Sequence, residues 1–564
     1  MNSHLSFFLQ WKFFLAFQII LLFFSAMVFA DSPKGGLAFL NGKVWTGDSE
    51  RPWAEAVVVQ GDRILFVGKN EDAKRWIEPS TRVIDLKGRL LLPGFNDAHV
   101  HFSDGGFSLI QLRLRDARNR KEFMDRIADY VKALPPNTWV TGGNWDHEAW
   151  PDKTYPDRRL VDSVTKSHPI LVNRLDGHVA LANSLALSIA GITKDTPDPE
   201  GGYIERDPKT GEPTGILKDT AMGLVSEHIP PFSPSVRMKA VQAAMQYAAE
   251  LGVTSVQDMS PAADFHLYQE LLREGKLTCR FLVVMPIETH TERMVKSGIE
   301  MHFGDAMLRI GSMKAFADGS MGAGSALFFD AYSDDPSTSG LGIYSMKKLE
   351  SLVSDAHSKR LQIMTHAIGD KANRWVLDAY ETAIEQYGQF GLRHRIEHAQ
   401  VVTPEDLPRF AELGVIASIQ PSHVIDDMRW AEKRIGKERC RNAYRCRSFF
   451  EAGAHVAFGT DWPVEDLNPM LGIYAATTRE YPEGGPEGGW FPEEKISIEL
   501  AVRSYTSGSA YAEFEEQNKG TVEAGKLADL IVLDRDLFSI SPKEILRTKV
   551  DMTVVGGKVV FERK

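Results

Sequence analysis

The fold class this sequence predicts is α/β: a (β/α)8 TIM barrel, with a small β-sandwich built from both termini and a large insertion after barrel strand 1. Three observations predict it. Eight short β-branched or apolar runs recur through the middle of the chain, most of them separated by amphipathic segments such as "KANRWVLDAYETAIEQY" at 371–387. Eightfold alternation of strand and helix is the mark of such a barrel. Several runs also carry His or Asp at or near their C-terminal ends, the rim on which barrels place their chemistry. The two ends of the chain, finally, resemble each other and not the middle.

Residues 1–30 come first. Phe13 to Ala30 is a charge-free apolar run preceded by Lys12 and closed by Val28-Phe29-Ala30 before Asp31. This pattern predicts a signal peptide cleaved after Ala30, with an uncleaved membrane anchor as the alternative. Either places the body outside the cytoplasm, periplasmic or secreted, and a membrane enters only through this segment. The chain has no Asn-x-Ser/Thr sequon, so glycosylation lends no support to a eukaryotic secretory route, and a bacterial periplasm fits better.

Residues 31–92 contain "LAFLNGKVWTG", "AVVVQGDRILFVG" and "TRVIDLKGRLLLPG", and residues 521–564 contain "ADLIVLD" and "DMTVVGGKVVFER". These short strands with Gly-containing turns are expected to pair into one sandwich. The barrel is expected over 93–520. Its first strand lies in "LLPGFNDAHVHF" (91–102), where alternation points His99 and His101 the same way, close enough to grip one ion.

About 150 residues then separate His101 from Val253, several times the ~30 of a βαβ unit. An insertion over 105–240 is therefore expected to leave from the catalytic rim and fold over its mouth. Within it "GGNWDHEAW" and "RLDGHVALANS" set Trp145, Asp146, Asp176 and His178 in Gly-marked loops, as substrate contacts or as turn chemistry. Trp145 and His178 are taken as substrate-pocket candidates, with His423 from "QPSH" as a third.

The remaining strands are expected at "VTSVQD" (253–258), "FLVVMP" (281–286), "RIGSMKAFAD" (309–318), "LQIMTHAIGD" (361–370), "HRIEHAQ" (394–400), "GVIASIQP" (414–421) and "AHVAFGTDWP" (454–463). Lys314 sits on the fourth, His366 ends the fifth, His398 the sixth and Asp461 the eighth. His366 and His398 are 32 residues apart, and His398 and Asp461 are 63 apart, which is one barrel unit and two. The groups therefore sit at corresponding heights round one ring.

These residue types suit a centre of two divalent metal ions, with zinc as the first choice: neutral imidazoles are borderline ligands and a carboxylate supplies charge. Lys314 is the odd member, because an ammonium repels cations and a buried lysine readily loses its proton. A neutral lysine amine takes up carbon dioxide to form a carbamate, whose two oxygens can bridge two ions. Glu397 and Asp318, beside the candidate ligands in sequence, would face away in an ideal strand or sit just beyond it, in supporting roles.

At 564 residues the chain is long enough for a large enzyme domain with an accessory module. A net charge of −11 and a pI near 5.9 argue against a nucleic-acid partner, since phosphate binding needs a basic face. The expected partner is a small-molecule substrate, and a homodimer stays open. Cys279, Cys440 and Cys446 lack metal-type spacing and are read as ordinary thiols.

The order H-x-H, Lys, His, His, Asp over a barrel flanked by a terminal β-sandwich resembles the amidohydrolase superfamily. "LLPGFNDAHVHF", "MKAFADGSMG", "THAIGDKAN", "RIEHAQ", "FGTDWPV" and "AGKLADLIVLD" resemble its YtcJ-like (amidohydrolase family 3) branch, and "DGHVALANSLAL" resembles bacterial members and the plant long-after-far-red proteins. The resemblance implies that His99 and His101 bind the more buried ion, that carboxylated Lys314 bridges, and that His366 and His398 hold the second ion. Asp461 would touch the first ion and act as general base and then acid. The implied activity is hydrolysis of a non-peptide amide or cyclic amide through a metal-activated hydroxide. Alternatives are a deaminase or esterase on the same site, or a catalytically vestigial regulatory protein. One departure stands out. Where relatives often read G-S-R-T-A, Gly322 to Ala326 read "GAGSA", so Gly324 stands in place of an arginine that could anchor substrate.

Overall fold

Eight parallel strands form the central ring of the computed structural model, which describes residues 36–259 and 264–564. They are β1 (Phe95–Val100), β2 (Val253–Asp258), β3 (Arg280–Pro286), β4 (Leu308–Phe316), β5 (Gln362–Ala367), β6 (Arg395–His398), β7 (Ile416–Ile419) and β8 (Val456–Phe458). Each pairs in parallel with the next. The ring closes through a parallel bridge between Val100 and Trp462, just past the end of β8. Strands covered on both faces tend to be apolar throughout rather than alternating, and Phe281 to Met285 of β3 are accordingly apolar and buried at every position.

Helices cover the outside. Phe265–Arg273, Ile287–Lys296, Met346–Ser358, Asp370–Tyr387 and Leu407–Leu413 follow β2 to β6 in turn. Asp370–Tyr387 shows why: Ala372, Val376, Leu377, Ala379, Tyr380 and Ala383 recur at three- and four-residue steps and form the face buried on the barrel.

The stretch at 91–102 is not one strand. Leu90–Pro93 belongs to the sandwich, where it pairs antiparallel with Leu530–Leu533, and β1 begins at Phe95. Gly94 separates them because a Cβ there would sit 2.3 Å from the Thr254 side chain. The sandwich has a four-stranded sheet from the N-terminal segment and a six-stranded sheet that mixes both termini. Phe39, Val57, Val59, Leu91, Leu530, Val532 and Val554 fill the space between them.

The insertion runs between two barrel helices, Phe102–Ile110 and Pro234–Glu250, which touch where Gly106 passes beneath the Ala240 backbone. Between them lies a five-stranded sheet in the order 202–206, 213–219, 179–182, 170–174, 140–145. Helix Arg120–Lys132 places Phe123, Ile127 and Val131 in the insertion's own apolar core, with Trp145, Trp150 and Val172.

Cys279, Cys440 and Cys446 are buried free thiols. Among the described residues no helix is long and apolar enough to cross a membrane. The signal or anchor segment 1–30 lies outside the described residues.

Candidate metal centre

Backbone geometry at the strand ends gathers the site. His99 lies on β1 and His101 just beyond it, and Asp461 follows β8. Asp461 adopts φ +58°, and its N–H donates to the His99 carbonyl at 2.7 Å, while the His101 N–H donates to the Trp462 carbonyl at 2.8 Å. This stitching sets Asp461 Oδ1 3.5 Å from His99 Nε2 and 3.4 Å from His101 Nε2. Lys314 Nζ, from near the C-terminal end of β4, comes to 3.4 Å from His99 Nε2. The His366 and His398 rings lie 4.5 Å apart, and the His398 and His99 rings 5.0 Å.

Each imidazole is oriented by the bond its other nitrogen makes. His99 Nδ1 donates to Glu397 Oε2 at 2.5 Å, and His398 Nδ1 donates to Gln420 Oε1 at 2.8 Å, leaving Nε2 of each for the centre. His366 donates through Nε2 to the Gly319 carbonyl at 3.2 Å, leaving Nδ1. Ligand atoms of His99, His398 and Asp461 all lie within 4.8 Å of one another, a spacing that suits one shared cation.

The charges fit that role. Burial, then the nearby Lys314 charge, pulls His99 down to about 4 despite Glu397 and Asp461. Burial also holds His366 and His398 well below the usual imidazole value. All three keep the free lone pair a metal requires. Burial alone would raise Asp461, but the His101 hydrogen bond and the neighbouring imidazoles more than offset it, so the carboxylate is held well below its ordinary value. For His101 burial acts downward, and the Asp461 hydrogen bond and charge outweigh it. Burial draws Lys314 down to about 8, against the pull of Glu397 and Asp461.

Glu397 does not face away from the site. Left-handed backbone at His398 and Ala399, with φ of +72° and +41°, breaks strand alternation, so Glu397 and His398 both reach the centre. Glu397 is fully buried and binds Arg395 through Oε1 at 2.8 Å. Arg395 also donates to the Ala98 carbonyl at 2.7 Å and to Ser418 Oγ at 2.9 Å. Asp318 accepts the backbone N–H groups of Leu327, Ile368 and Gly369 at 2.8 to 3.0 Å and so ties the loop after β4 to the end of β5.

Above the centre lies a cavity of about 490 Å³ lined by both barrel and insertion. His178 and His423 line it, and Trp145 does not. Trp145 is wholly buried in the insertion core, its Nε1 donating to the Val172 carbonyl at 2.9 Å. Its indole is too large and apolar to leave that core, and the polar neighbours Asn144 and Asp146 face the cavity instead. His423 stacks on His398 with ring centroids 5.9 Å apart, and its Nε2 is 3.7 Å from Asp461 Oδ2. His178 is raised to about 9: burial lowers it, and the Asp219 hydrogen bond and charge prevail.

Sequence reasoning missed Arg174, two residues before the "DGH" it singled out. Arg174 is buried, binds Asp176 at 2.6 Å, and lies against Gly322. It thereby brings a cation to the loop that contains Gly324, which lies at φ +72° with open space around it.

Residues 82–561 match the amidohydrolase family model Amidohydro_3. The chain is 36% identical to the protein LONG AFTER FAR-RED 3 of Arabidopsis thaliana over 560 residues, covering 96% of this chain and 94% of the plant protein. It is 32% identical to the putative amidohydrolase YtcJ of Bacillus subtilis (93% and 99% covered). Identity to the N-substituted formamide deformylase of Arthrobacter pascens is 29%, with 93% and 98% covered. Among solved structures, an uncharacterized metal-dependent hydrolase from Pyrococcus horikoshii superposes with a TM-score of 0.73 at 30% identity, covering 90% of this chain and 99% of that one. With its barrel, its terminal sandwich and its ring of imidazoles, this chain belongs to the amidohydrolase family and is a metal-dependent hydrolase of carbon–nitrogen bonds other than peptide bonds.

Proposed function

We propose that the chain hydrolyses a non-peptide amide or cyclic amide bond in a small molecule, using two divalent ions, zinc by first choice, and a carbamate on Lys314. The observation that carries this reading is Lys314 itself. It is buried among imidazoles, and no carboxylate among the described residues forms a salt bridge with it. A lysine in that setting is a poor structural cation and a good acceptor of carbon dioxide: Nζ bonds the carbon and releases one proton.

His99, His101 and Asp461 would hold one ion, His366 and His398 the other, and Lys314 both. Ions held there supply a water pKa lowered towards ~7 and a polarised substrate carbonyl. Asp461, kept ionised, takes the proton of the attacking water and passes it to the leaving nitrogen, so one carboxylate serves as base and then acid. Glu397 keeps the His99 proton on Nδ1. The name of the Arthrobacter pascens relative, a deformylase of N-substituted formamides, supports an amide over an ester.

Metal analysis of the purified protein is expected to find close to two divalent ions per chain. Lys314→Ala should lose metal and activity, with partial rescue by short carboxylic acids, and full metal occupancy in that variant would sink the carbamate. A panel of formamides, N-acyl amino acids and lactams would then define the substrate. We also propose export with cleavage after Ala30, which predicts Asp31 as the mature N-terminus; an intact mass that retains residues 1–30 refutes cleavage.

A further inference from the structure

The insertion presents two carboxamides to the cavity that the protein itself leaves unused. In its five-stranded sheet, Val140–Trp145 pairs in parallel with Ile170–Arg174, and the register slips by one: Asn173 matches Gly143, Arg174 matches Trp145, and Asn144 matches nothing. An unmatched residue of this kind is a β-bulge, a device that re-aims side chains beside active sites. Gly142, Gly143 and Asn144 are all left-handed, with φ of 82°, 97° and 53°. Gly143 has no room for a side chain, because a Cβ there would lie 2.8 Å from Leu114 Cδ1, whereas asparagine tolerates this backbone region better than most residues. The bulge sends Trp145 into the insertion core and leaves Asn144 on the cavity wall with Asn173. Both asparagines are half-buried, and among the described residues neither carboxamide makes a hydrogen bond within the protein.

The cavity leads from the metal centre to this pair along one helix. His101, Asp104, Phe107, Ser108 and Gln111 line it at three- and four-residue steps, the period of a single face of Phe102–Ile110. From Phe102 to Gln111 that face runs about 13 Å at ~1.5 Å per residue. Midway, Phe107 stacks on Phe232 with ring centroids 4.6 Å apart, and both rings line the wall. At the far end a Cβ on Gly142 would lie 3.2 Å from Gln111 Oε1, so the bulge meets the helix there. The helix starts from His101, which lies against Asp461, the residue that hands a proton to the leaving nitrogen, and the groove therefore receives the amine part of the substrate. Charge at the wall selects further. Arg174 and Arg237 line the cavity but are committed to Asp176 at 2.6 Å and Asp264 at 2.7 Å. Asp426 and Glu465 line it as well, and each holds Arg115 at 3.0 Å. An anionic end group finds no free guanidinium among these residues, while a carboxamide finds both a donor and an acceptor on each asparagine.

We propose that Asn144 and Asn173 form a specificity-determining subsite. They bind a neutral group that both donates and accepts hydrogen bonds, in its simplest form a primary carboxamide, carried on the leaving amine and separated from the scissile nitrogen by an apolar chain that lies on Phe107 and Phe232. This rests on the amide-hydrolysis reading. The subsite holds the far end of the chain and does not touch the reacting atoms, so it acts on KM and leaves kcat alone.

The test compares zinc-loaded wild type with Asn144→Gly, which keeps the left-handed backbone, with Asn173→Ala and with the near-isosteric Asn144→Asp. The probes are N-acetylated amines whose chains of three, six or nine carbons end in a carboxamide, a carboxylate, an ammonium or a methyl group, such as 6-acetamidohexanamide. At one of the two longer chains, wild type is expected to favour the carboxamide over the other ends by about 3- to 10-fold in KM. Asn144→Gly and Asn173→Ala should each raise that KM by a similar factor, with kcat, zinc content and the KM of the methyl-ended probe unchanged. Asn144→Asp should turn the preference towards the ammonium. A carboxylate or ammonium preference in wild type, or no preference at any length, overturns the proposal, as does a carboxamide preference that survives the substitutions. If wild type cleaves no probe, the amide reading fails, and calorimetric titration of the uncleaved probes into the zinc-loaded proteins still decides for or against the subsite by the same preferences.

Discussion

Replacing Glu397 by Gln keeps the side chain's shape and removes its charge, at a position where one carboxylate serves two donors. Oε2 accepts from His99 Nδ1 at 2.5 Å and from Arg395 Nη2 at 3.1 Å, while Oε1 accepts from Arg395 Nε at 2.8 Å. A glutamine offers one oxygen, so its NH2 must point at His99 or at Arg395, donor against donor. The buried Arg395 keeps Ala98, Ser418 and Gln257 as acceptors but loses its counter-ion. Removing one member of a buried pair costs about 3–5 kcal/mol. Loss of the group that orients a ligating histidine typically weakens metal binding about 10- to 100-fold, or roughly 1.4–2.8 kcal/mol. Chelator competition measures the metal affinity, and urea unfolding of the metal-stripped protein measures the stability. A variant that binds zinc within about twofold of wild type would refute the orienting role of the carboxylate.

Asp461→Asn removes the proton acceptor and should lower kcat by about 10²–10⁴-fold; steady-state assays on an amide that the wild type cleaves check this, and a loss below about tenfold would contradict it. Trp145→Ala should destabilise the insertion by about 3–5 kcal/mol with metal content unchanged, read by urea unfolding; a raised KM at unchanged stability would instead restore Trp145 as a substrate contact. In metal-stripped protein the folded pKa of His178, about 9, exceeds its ordinary 6.5. Its stabilising contribution is therefore fully present below pH 6.5 and lost as pH rises through about 9. The urea-midpoint difference between wild type and His178→Gln should shrink over that window, and a pH-independent difference would argue against the His178–Asp219 pair.

The barrel was legible because most strands had to be apolar enough for burial on both faces and each helix amphipathic enough to cover it, so 281–286 and 371–387 announced themselves locally. His99, His101, Lys314, His366, His398 and Asp461 were legible as chemistry because polar groups at the ends of such strands are costly without a purpose. Glu397 was misplaced because strand alternation is a local rule, and φ +72° at His398, imposed by the rim, overrides it. Trp145 was misassigned because glycines around it read as a surface loop, while its burial depends on the insertion core it shares with Val172, a partner 27 residues away that no local pattern names.

The sequence by itself therefore determined the architecture, the amidohydrolase resemblance and the candidate donor residues, since periodicity and residue type are carried by each segment alone. Only the tertiary structure decided which nitrogen of each histidine faces the centre, that Glu397 and Arg395 underpin His99, and that Asp219 delivers His178 from the insertion. Those outcomes depend on contacts between segments tens to hundreds of residues apart, such as His99 with Glu397 at a separation of 298, and a separation of that size is closed only by the packed fold.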